Sequence, residues 1–164
     1  MSSQSREHGH SIEHGRLAAP TGIDPRGPRV AAGITAAVLA AAVLTGSIWL
    51  LALQTAVFAV GSLWGVTASP YAIAYRRLIR SRLGPPAELE DPRPPRFAQT
   101  LGLIVTGLGL LAALAGLPHA VVVSAGLAFV AAFLNAAFGL CIGCEIYLLI
   151  LRLRGRRRDA LGRV

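Results

Sequence analysis

Residues 30–66 read VAAGITAAVLAAAVLTGSIWLLALQTAVFAVGSLWGV, and this stretch decides the fold. It contains no charged side chain, and Thr45-Gly46-Ser47 interrupts it near its middle. As one helix it would extend about 55 Å, nearly twice the ~30 Å hydrocarbon core of a bilayer. The stretch therefore predicts a helical hairpin, with a first helix over about 30–45 and a second over about 48–66.

A second apolar stretch, residues 97–151, repeats this plan. It predicts a third helix over about 97–115, a turn at Gly116–His119 and a fourth helix from about Ala120. Apolar character then continues to Leu151, over about 48 Å, which is again too long for one perpendicular crossing. We therefore expect the chain to bend or leave the membrane at Gly139–Gly143.

An internal duplication supports the two hairpins. Asp24-Pro25-Arg26-Gly27-Pro28-Arg29 precedes the first, and Asp91-Pro92-Arg93-Pro94-Pro95-Arg96 precedes the second. Their exits also correspond, Trp64–Tyr71 with Phe138–Glu145. Because each unit crosses twice, both units enter from the same side, which predicts parallel repeats about an axis along the membrane normal.

The charge distribution predicts the orientation. All 16 basic residues are arginines, and they fall within residues 6–29, 76–96 and 152–163. They flank the apolar stretches instead of alternating with aromatic residues, which favours positive-inside topology over nucleic-acid binding. The sequence thus predicts an all-α, polytopic protein of the cell membrane, with four transmembrane helices as two repeated hairpins, N-in/C-in.

Along the chain this organisation gives five segments. They are a disordered polar tail (1–28), a first transmembrane hairpin with an interfacial helix (29–83), a Pro-rich cytoplasmic linker (84–96), a second transmembrane hairpin with a CxxC exit (97–154) and an Arg-rich tail (155–164). Small residues recur at every fourth position of helices one and four, which predicts that these two helices pack closely. The residues are Gly33, Ala37, Ala41 and Thr45, and Ser124, Ala128, Ala132 and Ala136.

The only two cysteines, Cys141 and Cys144, are spaced to share one face of a helix. The charge rule puts them at the cytoplasmic end, where thiols are kept reduced, so a C-x-x-C motif there indicates redox or metal chemistry. Glu145 could transfer a proton to or from a thiol, or interact with the start of a following helix. We take Cys141, Cys144 and Glu145 as candidate catalytic residues, with plain packing of the cysteines as the alternative.

A zinc site would need four ligands, and the cysteines supply two. The others would have to come from a second subunit or from His8, His10 and His14 in the tail, because His119 is on the opposite face. The expectation is therefore no bound metal and no cofactor. No acidic or basic group lies deep within a predicted helix, which argues against a proton-coupled pump.

Residues 22–152 resemble an uncharacterised bacterial membrane family, domain of unknown function 4395, which is frequent in actinobacteria. The resemblance is carried by Ile23–Arg26 and Ser69–Tyr71 around the first hairpin, and by Pro94–Gln99 and Phe133–Glu145 around the second. It implies no established activity. Members are often encoded beside, or fused to, thioredoxin-like proteins and rhodanese-type sulfurtransferases, which implies a partner of that kind.

The leading hypothesis is a cytoplasm-facing membrane thiol protein that exchanges disulfide or sulfane sulfur with a thioredoxin or sulfurtransferase. Two alternatives are a non-enzymatic membrane scaffold and a channel or carrier for a small sulfur compound, so whether the chain is an enzyme is left open. The expected partners are the lipid bilayer and a thioredoxin-like or rhodanese-like protein, with a homo-oligomer as a further option and no nucleic acid.

Overall fold

The computed structural model describes residues 22–84, 86 and 88–161, and this part of the chain is all-α, as predicted. Residues 1–21 of the predicted polar tail and 162–164 of the predicted Arg-rich tail lie outside it. Single 3₁₀ turns follow α2 and α3, at Val66–Ala68 and Arg80–Arg82. The helices are α1 (Arg26–Thr45), α2 (Ile48–Leu63), α3 (Pro70–Leu78), α4 (Arg93–Leu114), α5 (Ala120–Phe138) and α6 (Ile142–Leu161).

Three of these helices, α1, α4 and α5, are long and apolar enough to cross a membrane. The α2 helix is apolar but has only 16 residues. At 1.5 Å per residue it is about 24 Å long, a little under the usual thickness of the hydrocarbon core.

Glycine ends two of the long helices. Gly46 closes α1 in the left-handed conformation, and Ser47 then caps α2 by accepting a hydrogen bond from the Leu50 N–H at 3.4 Å. Gly139 closes α5 in the same conformation, with the Leu140 N–H donating to the Leu134 carbonyl at 3.3 Å. This hydrogen-bond pattern is a Schellman motif. It ends the helix at a residue in the left-handed conformation, which glycine adopts without the strain that a side chain would cause. The predicted break at Gly139–Gly143 is therefore confirmed.

Both entry helices begin about a turn earlier than the apolar pattern indicated. The Asp24 Oδ1 accepts from the Arg26 N–H at 3.0 Å, and the Asp91 Oδ1 accepts from the Arg93 N–H at 2.9 Å. Each aspartate thus satisfies one of the free N–H groups at a helix start. Hydrophobic periodicity alone could not show this, because these first turns are polar.

The most extensive helix contacts join the two hairpins, α1 with α5 and α2 with α4. The predicted packing of helices one and four is confirmed, since these are α1 and α5. Their contact includes the fully buried Leu39, Ala42 and Ala125, which form one cluster with Leu51 of α2. Small side chains let the two backbones approach closely there.

A buried polar network ties α3 to this bundle. Gln54 of α2 is fully buried, donates to the Thr35 Oγ1 at 3.5 Å and accepts from the Tyr71 hydroxyl at 3.0 Å. These bonds satisfy an amide that would otherwise be costly to bury.

The duplicated motifs make equivalent contacts. Arg29 of α1 donates to the carbonyls of Ala136 and Ala137 at the end of α5, each at 3.2 Å. Arg96 of α4 occupies the same place in its motif, and it donates to the last carbonyls of α2, those of Ser62 and Leu63, at 2.8 and 2.9 Å. Each arginine thus caps the second helix of the other hairpin, where the free carbonyls carry partial negative charge.

The chain segments before the two motifs also meet. Ile23 and Glu90 form an isolated antiparallel bridge in which both N···O distances are 2.9 Å. Each residue directly precedes an Asp-Pro-Arg sequence, so this pair relates equivalent positions of the two halves. Likewise α3 packs on α1 and α6 packs on α4. These pairs are what a two-fold relation between parallel halves requires.

Candidate dithiol site at the start of α6

Cys141 lies directly before α6, and Cys144 lies in its first turn. The Cys141 carbonyl accepts from the Glu145 N–H at 3.0 Å, which makes Cys141 the cap residue of this helix. The Schellman motif at Gly139 ends α5 just before it, so the bend exposes the free N–H groups of α6 to the Cys141 side chain. Both cysteines are partly buried and are not disulfide-bonded.

The two thiols are not equivalent. The Cys144 thiol donates a hydrogen bond to the Cys141 sulfur, which also accepts from the Cys144 and Gly143 N–H groups. These hydrogen bonds lower the pKa of Cys141 to about 7, although partial burial and the Glu145 charge act in the opposite direction. The same hydrogen bond between the two thiols, together with burial, raises the pKa of Cys144. Cys141 is therefore suited to act as the nucleophile, and Cys144 as the protonated partner.

Gly143 fixes the position of the pair against α4. It is buried, and a Cβ added to it would lie 2.5 Å from the Ala98 Cβ and 2.6 Å from the Ala98 Cα. Only a glycine lets α6 come this close to the first turns of α4. One turn further along, the rings of Phe97 and Tyr147 are in contact, with centroids 5.6 Å apart.

Glu145 is exposed in the first turn of α6. A carboxylate there interacts favourably with the helix dipole, and its charge contributes to raising the pKa of both cysteines. Glu145 directly follows Cys144 in the chain, but among the described residues no hydrogen bond joins its carboxylate to either thiol.

Glu90 also belongs to this site, although no sequence pattern singled it out. Its charge also contributes to raising the pKa of Cys144, and it lines the same cavity as both cysteines. The backbone bridge to Ile23 holds it there. The linker gave no secondary-structure pattern, and the one available signal was the position of Glu90 directly before the repeated Asp-Pro-Arg motif.

A cavity of about 810 Å³ opens at the dithiol. Residues of α1, α4 and α5 form its inner walls, and residues of α3 and α6 border it at the end of the bundle where α1 and α4 begin. We call this end the arginine end, because Arg29 and Arg96 cap helices there. The sequence did not predict this cavity, since it arises where α1, α4 and α5 meet α3 and α6.

No group of three or more His, Cys, Asp or Glu side chains comes together in residues 22–84, 86 and 88–161 in a way that would hold a metal ion. His8, His10 and His14, the tail residues considered as zinc ligands, lie outside the described residues. His119 begins α5 at the end of the bundle opposite the cysteines.

The comparisons with known proteins give one match. The family described as "Domain of unknown function (DUF4395)" matches residues 23–152, which include both hairpins, the linker and the dithiol. No curated protein and no solved structure matches the chain. The match covers well over half of the chain and agrees with the resemblance seen in its motifs, so the chain belongs to this family of unknown function.

Proposed function

We propose that the chain is a multi-pass protein of the cell membrane in which α1, α2, α4 and α5 cross the bilayer and both termini are cytoplasmic. Three helices have the required length and apolarity, and α2 with its following turn completes the second crossing. The arginines that flank these helices support the orientation, because guanidinium groups are retained on the cytoplasmic side. On this proposal the arginine end faces the cytoplasm.

We further propose that Cys141 and Cys144 form a reactive dithiol that exchanges disulfide or sulfane sulfur with a thioredoxin-like or rhodanese-like protein. The observation that carries this proposal is the placement of Cys141 as the cap of α6, with its sulfur accepting hydrogen bonds from N–H groups and from Cys144. A thiolate at a helix N-terminus is the arrangement that makes a cysteine nucleophilic near neutral pH.

The exchange has two steps. The Cys141 thiolate attacks one sulfur of a partner disulfide, which forms a mixed disulfide and releases one partner thiolate. Cys144 then loses its proton and attacks the Cys141 sulfur, which releases the second partner thiolate and leaves a Cys141–Cys144 disulfide. Two electrons pass to the partner. With a sulfurtransferase, the Cys141 thiolate would instead attack the outer sulfur of a persulfide, which breaks the partner's S–S bond, releases the partner thiolate and leaves a Cys141 persulfide.

Trapping of the mixed disulfide tests this function. In a Cys144→Ser variant the second step is blocked, so we expect a disulfide-linked adduct, released by reductant, with a thioredoxin that keeps a single active-site cysteine activated as its thionitrobenzoate disulfide, because the leaving thiolate then departs. The matched Cys141→Ser variant, which keeps the less reactive cysteine, should give little adduct. Equal trapping by both variants would contradict the assigned roles, and no adduct with either would contradict thiol exchange.

The cavity favours one other function, a channel or carrier for a small sulfur compound, because it lies between membrane-crossing helices. Uptake of thiosulfate into vesicles that contain the protein would support this alternative. Flux equal to that of empty vesicles would exclude it for thiosulfate.

A further inference from the structure

The cavity next to the dithiol has the size and the walls of a small-molecule site. Its volume of about 810 Å³ lies within the roughly 300–1,000 Å³ that is usual for ligand pockets. Its inner walls are apolar and include Ala31 of α1, Leu101 and Val105 of α4, and Leu127 and Ala131 of α5. A soluble protein such as thioredoxin cannot enter a space of this size, so an occupant would have to be a small apolar molecule.

The cavity is also accessible from the lipid-facing side. The α4 and α5 helices are in tight contact where Gly109 meets Ser124. Nearer the arginine end, Val105 and Leu127 line the cavity instead, and Leu127 is 63% exposed on the outer surface. On the proposed topology this outer surface faces lipid. A molecule dissolved in the bilayer could therefore enter between α4 and α5.

Two amides provide the few polar groups that such a site needs. Gln99 lines the cavity, and its Oε1 is buried without a hydrogen-bond partner among the described residues. Asn135 lines it too, and within the described part of the chain its side chain makes no hydrogen bond. A buried polar atom is normally hydrogen-bonded, so the Gln99 Oε1 is available to accept from a ligand hydroxyl, and the half-buried Asn135 amide is available to donate to a ligand oxygen.

We infer that this cavity binds a lipid-soluble quinone, which accepts the electron pair of the Cys141–Cys144 dithiol. The inference rests on the proposed thiol function and adds its membrane-side partner. A dithiol that becomes a disulfide gives up two electrons, and a quinone is the class of small apolar molecule that takes up two electrons within a bilayer. A ring oxygen can accept from the Asn135 amide, the Gln99 Oε1 can accept from a hydroxyl of the quinol product, and the apolar ring and tail match the walls.

The reaction balances without another reagent. The S–S bond forms between Cys141 and Cys144, and the two thiols are oxidised as the quinone is reduced to the quinol. One proton comes from the Cys144 thiol and the second from solvent, because Cys141 reacts as the thiolate. A soluble dithiol partner at the arginine end then reduces the disulfide again, by the two exchange steps of the proposed function run in reverse, so electrons flow from the cytoplasm to the membrane quinone.

The test uses the full chain in phospholipid vesicles, reduced and then freed from reductant. Decylubiquinone is the probe, since its ring is fully substituted and does not alkylate thiols. We expect one quinol for each Cys141–Cys144 pair, measured by absorbance, and a matching loss of free thiols. Cys141→Ser and Cys144→Ser should each abolish the reaction.

A pair of neighbouring substitutions locates the site. Ala131→Phe fills the cavity, whereas Val130→Phe adds the same ring on an outer surface that is already 53% exposed. We expect Ala131→Phe to slow quinone reduction about tenfold, equivalent to about 1.4 kcal/mol, and Val130→Phe to leave it unchanged. Equal rates in the two variants would place quinone reduction elsewhere and overturn the inference.

A second measurement does not depend on the folding of a variant. An azido derivative of decylubiquinone, photolysed on the unmodified chain, should label peptides that contain Leu101–Val105 or Leu127–Ala131. Labelling confined to other peptides would overturn the inference. If thioredoxin is trapped but decylubiquinone is not reduced, the quinone inference fails and the thiol function stands. If both reactions fail, both proposals fall.

Discussion

At the residue scale, the two cysteines of one short motif acquire opposite properties from their positions on α6. Cys141 precedes the helix, so its sulfur can accept hydrogen bonds from the N–H groups of the first turn. Cys144 is within that turn, and its thiol donates a hydrogen bond to the Cys141 sulfur. Negative charge is therefore stabilised on Cys141 and disfavoured on Cys144, which suits Cys141 to the proposed role of nucleophile.

Alkylation of Cys141 by iodoacetamide should follow this difference. Because the pKa of Cys141 is lowered to about 7, its alkylation rate should rise with pH to a half-maximum near that value. A Cys144→Ala substitution removes the hydrogen bond that lowers the pKa most, so the midpoint should move to higher pH. Glu145→Gln should move it to lower pH, since the Glu145 charge raises this pKa. A midpoint in the unmodified chain at the ordinary cysteine value of about 8.5 would contradict the assignment.

At the scale of helices, glycines decide where the chain turns and how close its helices come. Gly139 ends α5 with a left-handed residue, and Gly143 then lets the first turn of α6 touch Ala98 of α4. The sequence located the break, because two glycines interrupt an apolar stretch that is too long for one crossing. It did not reveal that α4 is the helix against which Gly143 packs.

A Gly143→Ala substitution should destabilise the protein, because the new methyl group would lie 2.5 Å from the Ala98 Cβ. We expect a loss of about 1–3 kcal/mol, the usual cost of overpacking, measured as a lower midpoint of unfolding in detergent. Adding Ala98→Gly removes the clashing Cβ and should recover part of this loss.

The control for that substitution is Gly126→Ala in α5, where an added Cβ meets nothing within 4 Å. It should be neutral or slightly stabilising, because alanine favours helix over glycine by about 1 kcal/mol. Equal effects of Gly143→Ala and Gly126→Ala would refute the close contact between α4 and α6.

At the scale of the whole molecule, the two halves are joined by exchanged contacts. Arg29 caps α5 and Arg96 caps α2, so each hairpin ends on an arginine of the other. The Ile23–Glu90 bridge links the halves at the arginine end, beside the dithiol. The duplication therefore does more than repeat a hairpin, because it builds one four-helix bundle with a cavity at one end.

The proposed orientation can be measured on the intact chain. A membrane-impermeant maleimide should leave Cys141 unlabelled in intact cells and should label it in inside-out vesicles, because the proposed arginine end faces the cytoplasm. A single cysteine introduced at Gly116 in a Cys141→Ser, Cys144→Ser background should give the opposite pattern, as it lies in the turn between α4 and α5. Labelling of Cys141 in intact cells would contradict the proposed topology and place the arginine end outside the cell.

The sequence by itself determined the all-α class, the hairpin turn at Gly46 and the break at Gly139, because the length of an apolar stretch and the position of glycine are local properties. It also identified the duplication and the cysteine pair. Only the tertiary structure decided which thiol is the stabilised one, that Glu90 lies near Cys144 and that a cavity adjoins both cysteines. These features depend on hydrogen bonds and contacts between segments far apart in the chain, which no local pattern of residues records.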